Sequence, residues 1–316
     1  FAETISTGHV DNWYHLISEH TMKTEFIPLS FEQGRILMTL HEEYTRSNEF
    51  PWTEAQLAQQ YFPELYDQVN DVLRNKLSTG QVFVKLSSRS PKDVQTGRFE
   101  QLLQDELDSL SQEQLKDNHM RCRALVRASC KMLRVESFHE MIKLLIMSER
   151  VYEDLEQEIE VRAPSDFSLS LVLREWIDID FDLEFRGYVH NNQLNALSQY
   201  NHVCYIDEIV QNRELMLRRM LQLFDVVRPK LATIGSYVID FTVNPRLLHD
   251  ESQLEKCVLI VELNPYEIGT GSCMFDWKTE KHLMDNGPFE FRIVETKDDA
   301  ALFKEMNPSY LQYLVQ

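Results

Sequence analysis

Two segments carry polar side chains where a β-strand needs apolar ones: Gly235–Val243 (GSYVIDFTV) and Cys257–Asn264 (CVLIVELN). Side chains alternate along a strand, so Val238, Asp240 and Thr242 share a face of the first, and Val258, Ile260, Glu262 and Asn264 share a face of the second. Sequential strands commonly pair, and this pairing brings Asp240, Glu262 and Asn264 to one end of a sheet. Hard oxygen donors in that position suit Mg²⁺, which keeps waters and takes its remaining ligands from substrate phosphates. The competing reading is a sheet with one wet face and two exposed acids. Apolar residues on both faces of both segments weigh against it, because strands of that pattern are buried and their acids need a cation or a donor.

The matching cations lie upstream. Gly80 opens the β-rich run Gln81–Leu86 (QVFVKL), followed by SSRSPKD, Ser87–Asp93. A strand that delivers Lys85 into a serine-rich loop with Arg89 and Lys92 presents cations and hydroxyls to a phosphate. The stretch lacks the G-x-x-x-x-G-K-[ST] pattern, so it is not a P-loop, and a strand-end lysine beside a solvated turn reads equally well. Further on, Leu169–Gln199 reads as three β-segments. Ser170–Arg174 is short and apolar, Leu183–Val189 carries Glu184, Arg186 and Tyr188, and Asn191–Asn192 offers a hairpin turn into Gln193–Gln199. An unpaired guanidinium or carboxylate inside a strand is costly. Glu184 and Arg186 are therefore expected to face each other, a ligand or a wet cleft. No residue stands out as a general base or covalent nucleophile.

The elements that position these residues are ordinary for a soluble protein of 316 residues, 43% hydrophobic and 26% charged. Acidic residues number 51 against 32 basic, a formal charge of -19, which opposes non-specific attraction to nucleic acid or to anionic membrane. No apolar run approaches the roughly 18 residues that span a bilayer. The cysteines at 122, 130, 204, 257 and 273 form no C-x-x-C and fit reduced thiols in a cytoplasmic compartment. Helical spacing is predicted over Phe31–Arg46, over Trp52–Leu77 with an interruption near Pro63, through much of Gly97–Val161, and over Asp207–Arg228 before Pro229. Trp13 and Trp52 read as core anchors. The acid-rich run Glu149–Glu160 reads as a solvated helix face, and Arg121, Arg123, Arg127 and Lys131 as a stripe paired with neighbouring acids.

Taken together and in order, NWY, TEFIPL, YFPEL, VFVKLSSRSPKD, SLVLREW, EFRGYV, LSQ, YVIDF, VELNP, FDW and FEFRIVE span Asn12 to Glu295. This set resembles the cell division cycle protein 123 family, eukaryotic ATP-grasp proteins that assist assembly of translation initiation factor two. The resemblance implies an α+β, two-lobed ATP-grasp fold with an N-terminal helical scaffold. Residues 1–79 would form the scaffold, 80–170 a small lobe with an acidic helical insertion, and 171–316 a large lobe with the metal and phosphate site. It implies ATP and Mg²⁺ as cofactors: Lys85, Lys92 and Arg186 toward phosphate, Ser170, Leu171, Val172 and Leu173 as a hinge whose backbone faces adenine, and Asp240, Glu262 and Asn264 on metal. Glu184 becomes the orienting partner of Arg186. Two departures stand out. The family's aspartate-x-asparagine is Glu262-x-Asn264 here, which moves the carboxylate oxygens outward by one methylene, and its arginine after the serine-glutamine pair is Tyr200. The implied partner is the gamma subunit of initiation factor two. The alternative is an ATP-dependent ligase or phosphotransferase acting on a protein or RNA acceptor, with Lys85, Arg186 and the metal stabilising phosphoryl charge.

Overall fold

The computed structural model describes residues 8–177, 179, 182–300 and 312–314, and the chain divides into two compact units. Neither unit is continuous in sequence. One is Lys23–Phe99 with Ser129–Ile177; the other is Phe1–Met22, Glu100–Ala128 and Asp178–Gln316. They are named below by Lys85 and by Arg186.

The Lys85 unit holds an antiparallel sheet of β1 (Thr24–Pro28), β2 (Val82–Leu86), β3 (Arg134–Val135) and β4 (Ser170–Glu175), in the order β1-β4-β2-β3. Pro28 ends an edge strand, where its missing N–H costs no ladder bond. Ile27, Val82, Val84, Leu86, Leu171 and Leu173 share one face and are all buried, the period-2 pattern that drives a sheet onto a core. Helices Phe31–Ser47, Phe138–Met147 and Glu149–Val161 pack together in the same unit. Ser30 caps the first of them in a reciprocal capping box with Gln33. The interruption expected near Pro63 appears as a π-helical turn, Leu57–Tyr61, with Pro63 opening the next helix.

The acidic helix departs from its expected solvated face. Its buried stripe is Val151, Asp154, Leu155 and Glu158, the i, i+3, i+4, i+7 spacing of one helix face, so two of the acids point inward. Arg89 Nε meets Asp154 Oδ1 at 2.9 Å and Arg162 Nε meets Glu158 Oε2 at 2.6 Å. Burial pushes the Glu158 carboxyl above its ordinary value, against the pull of Arg162.

The Arg186 unit is built on β5 (Glu184–His190), β6 (Gln193–Gln199), β7 (Tyr237–Val243), β8 (Val258–Asn264) and β9 (Glu290–Arg292), in the order β8-β7-β5-β6-β9. All neighbours are antiparallel except β6 and β9. The hairpin between β5 and β6 turns at Asn191 and Asn192, whose φ values of 51° and 62° are the left-handed pair of a tight primed turn. Gly187 sits at a close approach: a Cβ there would lie 2.8 Å from Leu194 Cδ1 and 3.1 Å from Ile239 Cγ2, so those side chains would have to shift. The Asp207–Val227 helix packs on β7 and β8. Trp13 is fully buried in this unit, and Trp52 is buried in the other.

Two residues of the basic stripe, Arg123 and Arg127, pair with acids distant in the chain, while Arg121 donates to the carbonyls of Leu115 and Tyr313. Asp182, with no exposed surface, accepts from Arg123 Nε at 2.6 Å and from Arg127 Nε at 3.3 Å, while Arg123 Nη2 reaches Glu208 at 2.7 Å.

Nearby, the Tyr205 N–H donates to Nδ1 of buried His119 at 3.1 Å. Burial lowers the His119 pKa below the ordinary 6.5; Asp117 raises it and Lys297 lowers it. The unfolded chain therefore binds this proton more readily, and the stabilising contribution is complete above about pH 6.5 and is lost as pH falls toward the folded-state value. His119→Asn is expected to flatten the loss of stability as pH falls below about 6.5, read as the urea midpoint against pH. Part of the slope remains, because burial lowers His20 in the same direction. A profile parallel to that of the unaltered protein would refute the assignment.

Candidate functional site

Strand pairing brings the predicted acidic residues together, with one change of detail. In the β7–β8 register Asp240 lies opposite Glu262 and Val238 opposite Asn264, but Phe241 lies opposite Ile260 and Val243 opposite Val258. Val261 is thus an extra residue, a β-bulge, and a one-residue shift reverses the facing of everything beyond it. Glu262 and Asn264 share the face of Asp240 as expected, whereas Val258 and Ile260 turn to the opposite face. The apolar half of the strand stays in the core while its polar end joins the site.

Arg186 lies across from Asp240 on the neighbouring strand. Its Nε donates to Asp240 Oδ1 at 2.8 Å and its Nη2 to Asp240 Oδ2 at 2.7 Å, a two-pronged arrangement that matches the guanidinium fork to the carboxylate. The Asn264 amide donates to the same Oδ2 at 3.0 Å. Arg186 Nη1 donates to the Gly271 carbonyl at 2.7 Å, and its guanidinium carbon sits 4.7 Å from the centre of the Tyr200 ring. Arg186 is 7% exposed and Asp240 3%. Burial alone disfavours the guanidinium charge, but the Asp240 carboxylate outweighs it and raises the pKa well above its usual value.

The expected orienting partner is corrected here: the carboxylate that holds Arg186 is Asp240, and Glu184 lies opposite Thr242. Tyr200 gives Arg186 an aromatic face.

The loop after β8 contributes what sequence reading missed. Gly271 supplies the carbonyl for Arg186, and the Tyr188 hydroxyl donates to the Ser272 carbonyl. Cys273, at φ 50°, brings its thiol into electrostatic range of Arg186, Asp240 and Glu184. Burial pushes that thiol up to about 12, so it is a protonated thiol and not a poised nucleophile. The only sequence signal for this loop is its G-T-G-S composition, which by itself carries little.

As a cation site, Asp240, Glu262 and Asn264 supply the hard oxygens Mg²⁺ prefers, gathered at one sheet position. Asp240 already accepts three hydrogen bonds, two of them from Arg186, so an ion there would compete with Arg186 for its oxygens. Among the described residues no cluster of three or more His, Cys, Asp and Glu forms a metal-holding group; the set depends on an asparagine.

In the Lys85 unit, Lys85 is 1% exposed on β2, on the same sheet face as Val172 and Arg174 of β4. Arg174, itself 2% exposed, is a second buried cation there that the sequence reading passed over. Lys92 lies in the exposed turn after Pro91, and Arg89 is tied to Asp154. Ser170–Leu173 occupy an interior strand: Leu171 lies between Ile27 and Leu86, and Val172 between Phe26 and Lys85. A hinge backbone free to face adenine is therefore not what these residues form, because their N–H and C=O groups serve the ladders on both sides.

Among the described residues no helix is long and apolar enough to cross a membrane, and the five cysteines carry no disulfide. The curated relatives include a protein of Candida albicans named translation initiation factor eIF2 assembly protein, 24% identical over 259 residues, which cover 77% of this chain and 61% of that protein. A Vanderwaltozyma polyspora protein of the same name is 26% identical over 252 residues, 74% of this chain and 55% of its own length; the match thus spans less than two thirds of either relative. A Xenopus laevis protein of that name aligns over 96% of this chain and 85% of its own length at 22% identity. The fold is that of Cdc123 from Schizosaccharomyces pombe, with a TM-score of 0.61 at 19% identity over 93% of this chain and 98% of that one. The profile of the D123 family matches residues 124–315, a span that takes in β4 through β9 and with them Arg186, Asp240, Glu262 and Asn264, and on that match the chain belongs to the D123 family.

Proposed function

We propose that this chain is an ATP-grasp protein that binds ATP with Mg²⁺ and assists assembly of translation initiation factor two through its gamma subunit, in the cytoplasm. The observation that carries the nucleotide part is the convergence of Arg186, Asp240, Glu262 and Asn264 on one sheet face. A buried cation beside a set of hard oxygens is the complement of a metal-bound polyphosphate. Lys85, Lys92 and Arg186 would take phosphate oxygens, and Asp240, Glu262 and Asn264 would hold the ion. The metal would supply charge neutralisation of the phosphates. The assembly role rests on the names carried by the relatives.

ATP with Mg²⁺ at about a hundred times Kd is expected to add about 2.7 kcal/mol through linkage, read as a rise in Tm that neither component gives alone. An unchanged Tm would overturn the nucleotide reading. Capture of purified initiation factor two gamma subunit by the tagged chain tests the partner separately. Its failure beside a clear nucleotide shift would leave a nucleotide-binding protein with another client.

A further inference from the structure

The turn Thr270–Met274 is held down by its carbonyl groups. Trp277 Nε1 donates to the Thr270 carbonyl, Arg186 Nη1 to that of Gly271, the Tyr188 hydroxyl to that of Ser272 and Arg292 Nη1 to that of Met274. The Met274 N–H donates to Ser198 Oγ at 3.2 Å. Arg186, Ser198 and Arg292 lie side by side across β5, β6 and β9, so three adjacent strands grip one turn. At its centre Cys273 adopts a left-handed backbone, an unfavourable conformation for this residue type that persists only where surrounding contacts impose it.

Arg292 is likewise paired, with Glu280 and Glu290, but the carboxylate that Arg186 carries, Asp240, is itself a member of the candidate cation site. On the nucleotide reading proposed above, on which this inference rests, phosphate competes with Asp240 and Gly271 for the guanidinium while the cation competes with Arg186 for Asp240. One ion pair is exchanged for two, so neither charge is left unpaired. We infer that the Thr270–Met274 turn is a clasp that nucleotide binding releases: as Arg186 turns to phosphate, Gly271 loses its donor and the strained turn loosens. Arg186 then couples occupancy of the site to the mobility of a surface segment in which Gly271 is exposed and Cys273 half-buried.

Amide hydrogen exchange followed by mass spectrometry tests this on the full chain, with Mg²⁺–ATP as the probe. Peptides covering residues 269–275 are expected to exchange at least about tenfold faster with the probe, the change in opening equilibrium that follows loss of one charge-assisted hydrogen bond. Peptides of β6 and of the Asp207–Val227 helix should not accelerate. The double variant Arg186→Met/Asp240→Asn, which removes both charges together, should show the same local acceleration without nucleotide. Arg186→Lys, which keeps the charge but lacks the fork, should do so if the double variant fails to fold. A Tm shift with Mg²⁺–ATP but an unchanged or slower turn would overturn the clasp and leave the nucleotide reading intact. Absence of both the shift and the acceleration would remove both, and a turn unaltered in the ligand-free variants would show that Arg186 does not hold it.

Discussion

Asp240→Ala is expected to lower the unfolding free energy by about 3–5 kcal/mol, the range for removing one partner of a buried ion pair. The cost is the charge left behind, not the bond lost. Arg186 would keep the Gly271 carbonyl and the Tyr200 ring, neither of which neutralises a guanidinium that is 7% exposed. Asn264 would lose the acceptor of its amide as well. The double variant Arg186→Met/Asp240→Asn should recover most of the loss, because a neutral pair of similar volume leaves no buried charge. Urea unfolding of the single and double variants measures both effects, and a double variant as unstable as Asp240→Ala would show that packing, not charge, governs the site. The same Asp240→Ala protein should give no Tm rise with Mg²⁺–ATP. A full shift in that variant would sink the metal assignment while leaving the stability argument untouched.

Asp182→Ala should cost a comparable amount, about 3–5 kcal/mol. Asp182 is entirely buried and is the acceptor common to Arg123 and Arg127. Arg123 keeps Glu208, but that carboxylate is 47% exposed and its attraction is weakened by solvent. Burial disfavours the Arg123 charge, and Asp182 is the first group that compensates. Asp182→Asn should be nearly as damaging as alanine, because one carboxylate oxygen becomes an amide donor aimed at an arginine donor. Guanidinium chloride is unsuitable for this measurement, since its salt would screen the remaining pair; urea at low ionic strength suits it. An Asp182→Asn protein within about 1 kcal/mol of the parent would mean that hydrogen-bond geometry alone holds the two helical arginines.

Local pattern made a good part of the site legible. The apolar residues on both faces around Asp240 and Glu262 identified two buried strands, and sequential pairing placed the acids opposite one another. Asn191–Asn192 marked the hairpin by residue type, and the cost of an unpaired charge inside a strand required a partner for Arg186. Helix spacing also located Asp207–Val227 to within a residue of its observed end.

Other features depend on which distant segments meet. Glu184 and Arg186 share a strand face, yet residues two apart on one strand are separated by nearly 7 Å, while the cross-strand neighbour lies about 5 Å away; Asp240 therefore claims the guanidinium. The bulge at Val261 reversed half of β8, and no residue type there announces it. Ser170–Leu173 read as a free hinge until β1 closed its second edge from the far end of the chain. Asp154 and Glu158 lie in an acidic run, but the helix phase that turns them inward is set by the helices it packs on.

The sequence by itself determined the strand and helix periods and the family, because these follow from neighbours close in the chain. Tertiary structure alone decided that Arg186 belongs to Asp240, that Tyr200 and Gly271 complete its surroundings, and that β4 is closed on both edges. Each of these is a contact between segments separated by tens of residues, where the partner is chosen by strand register and by the cost of leaving a buried charge alone.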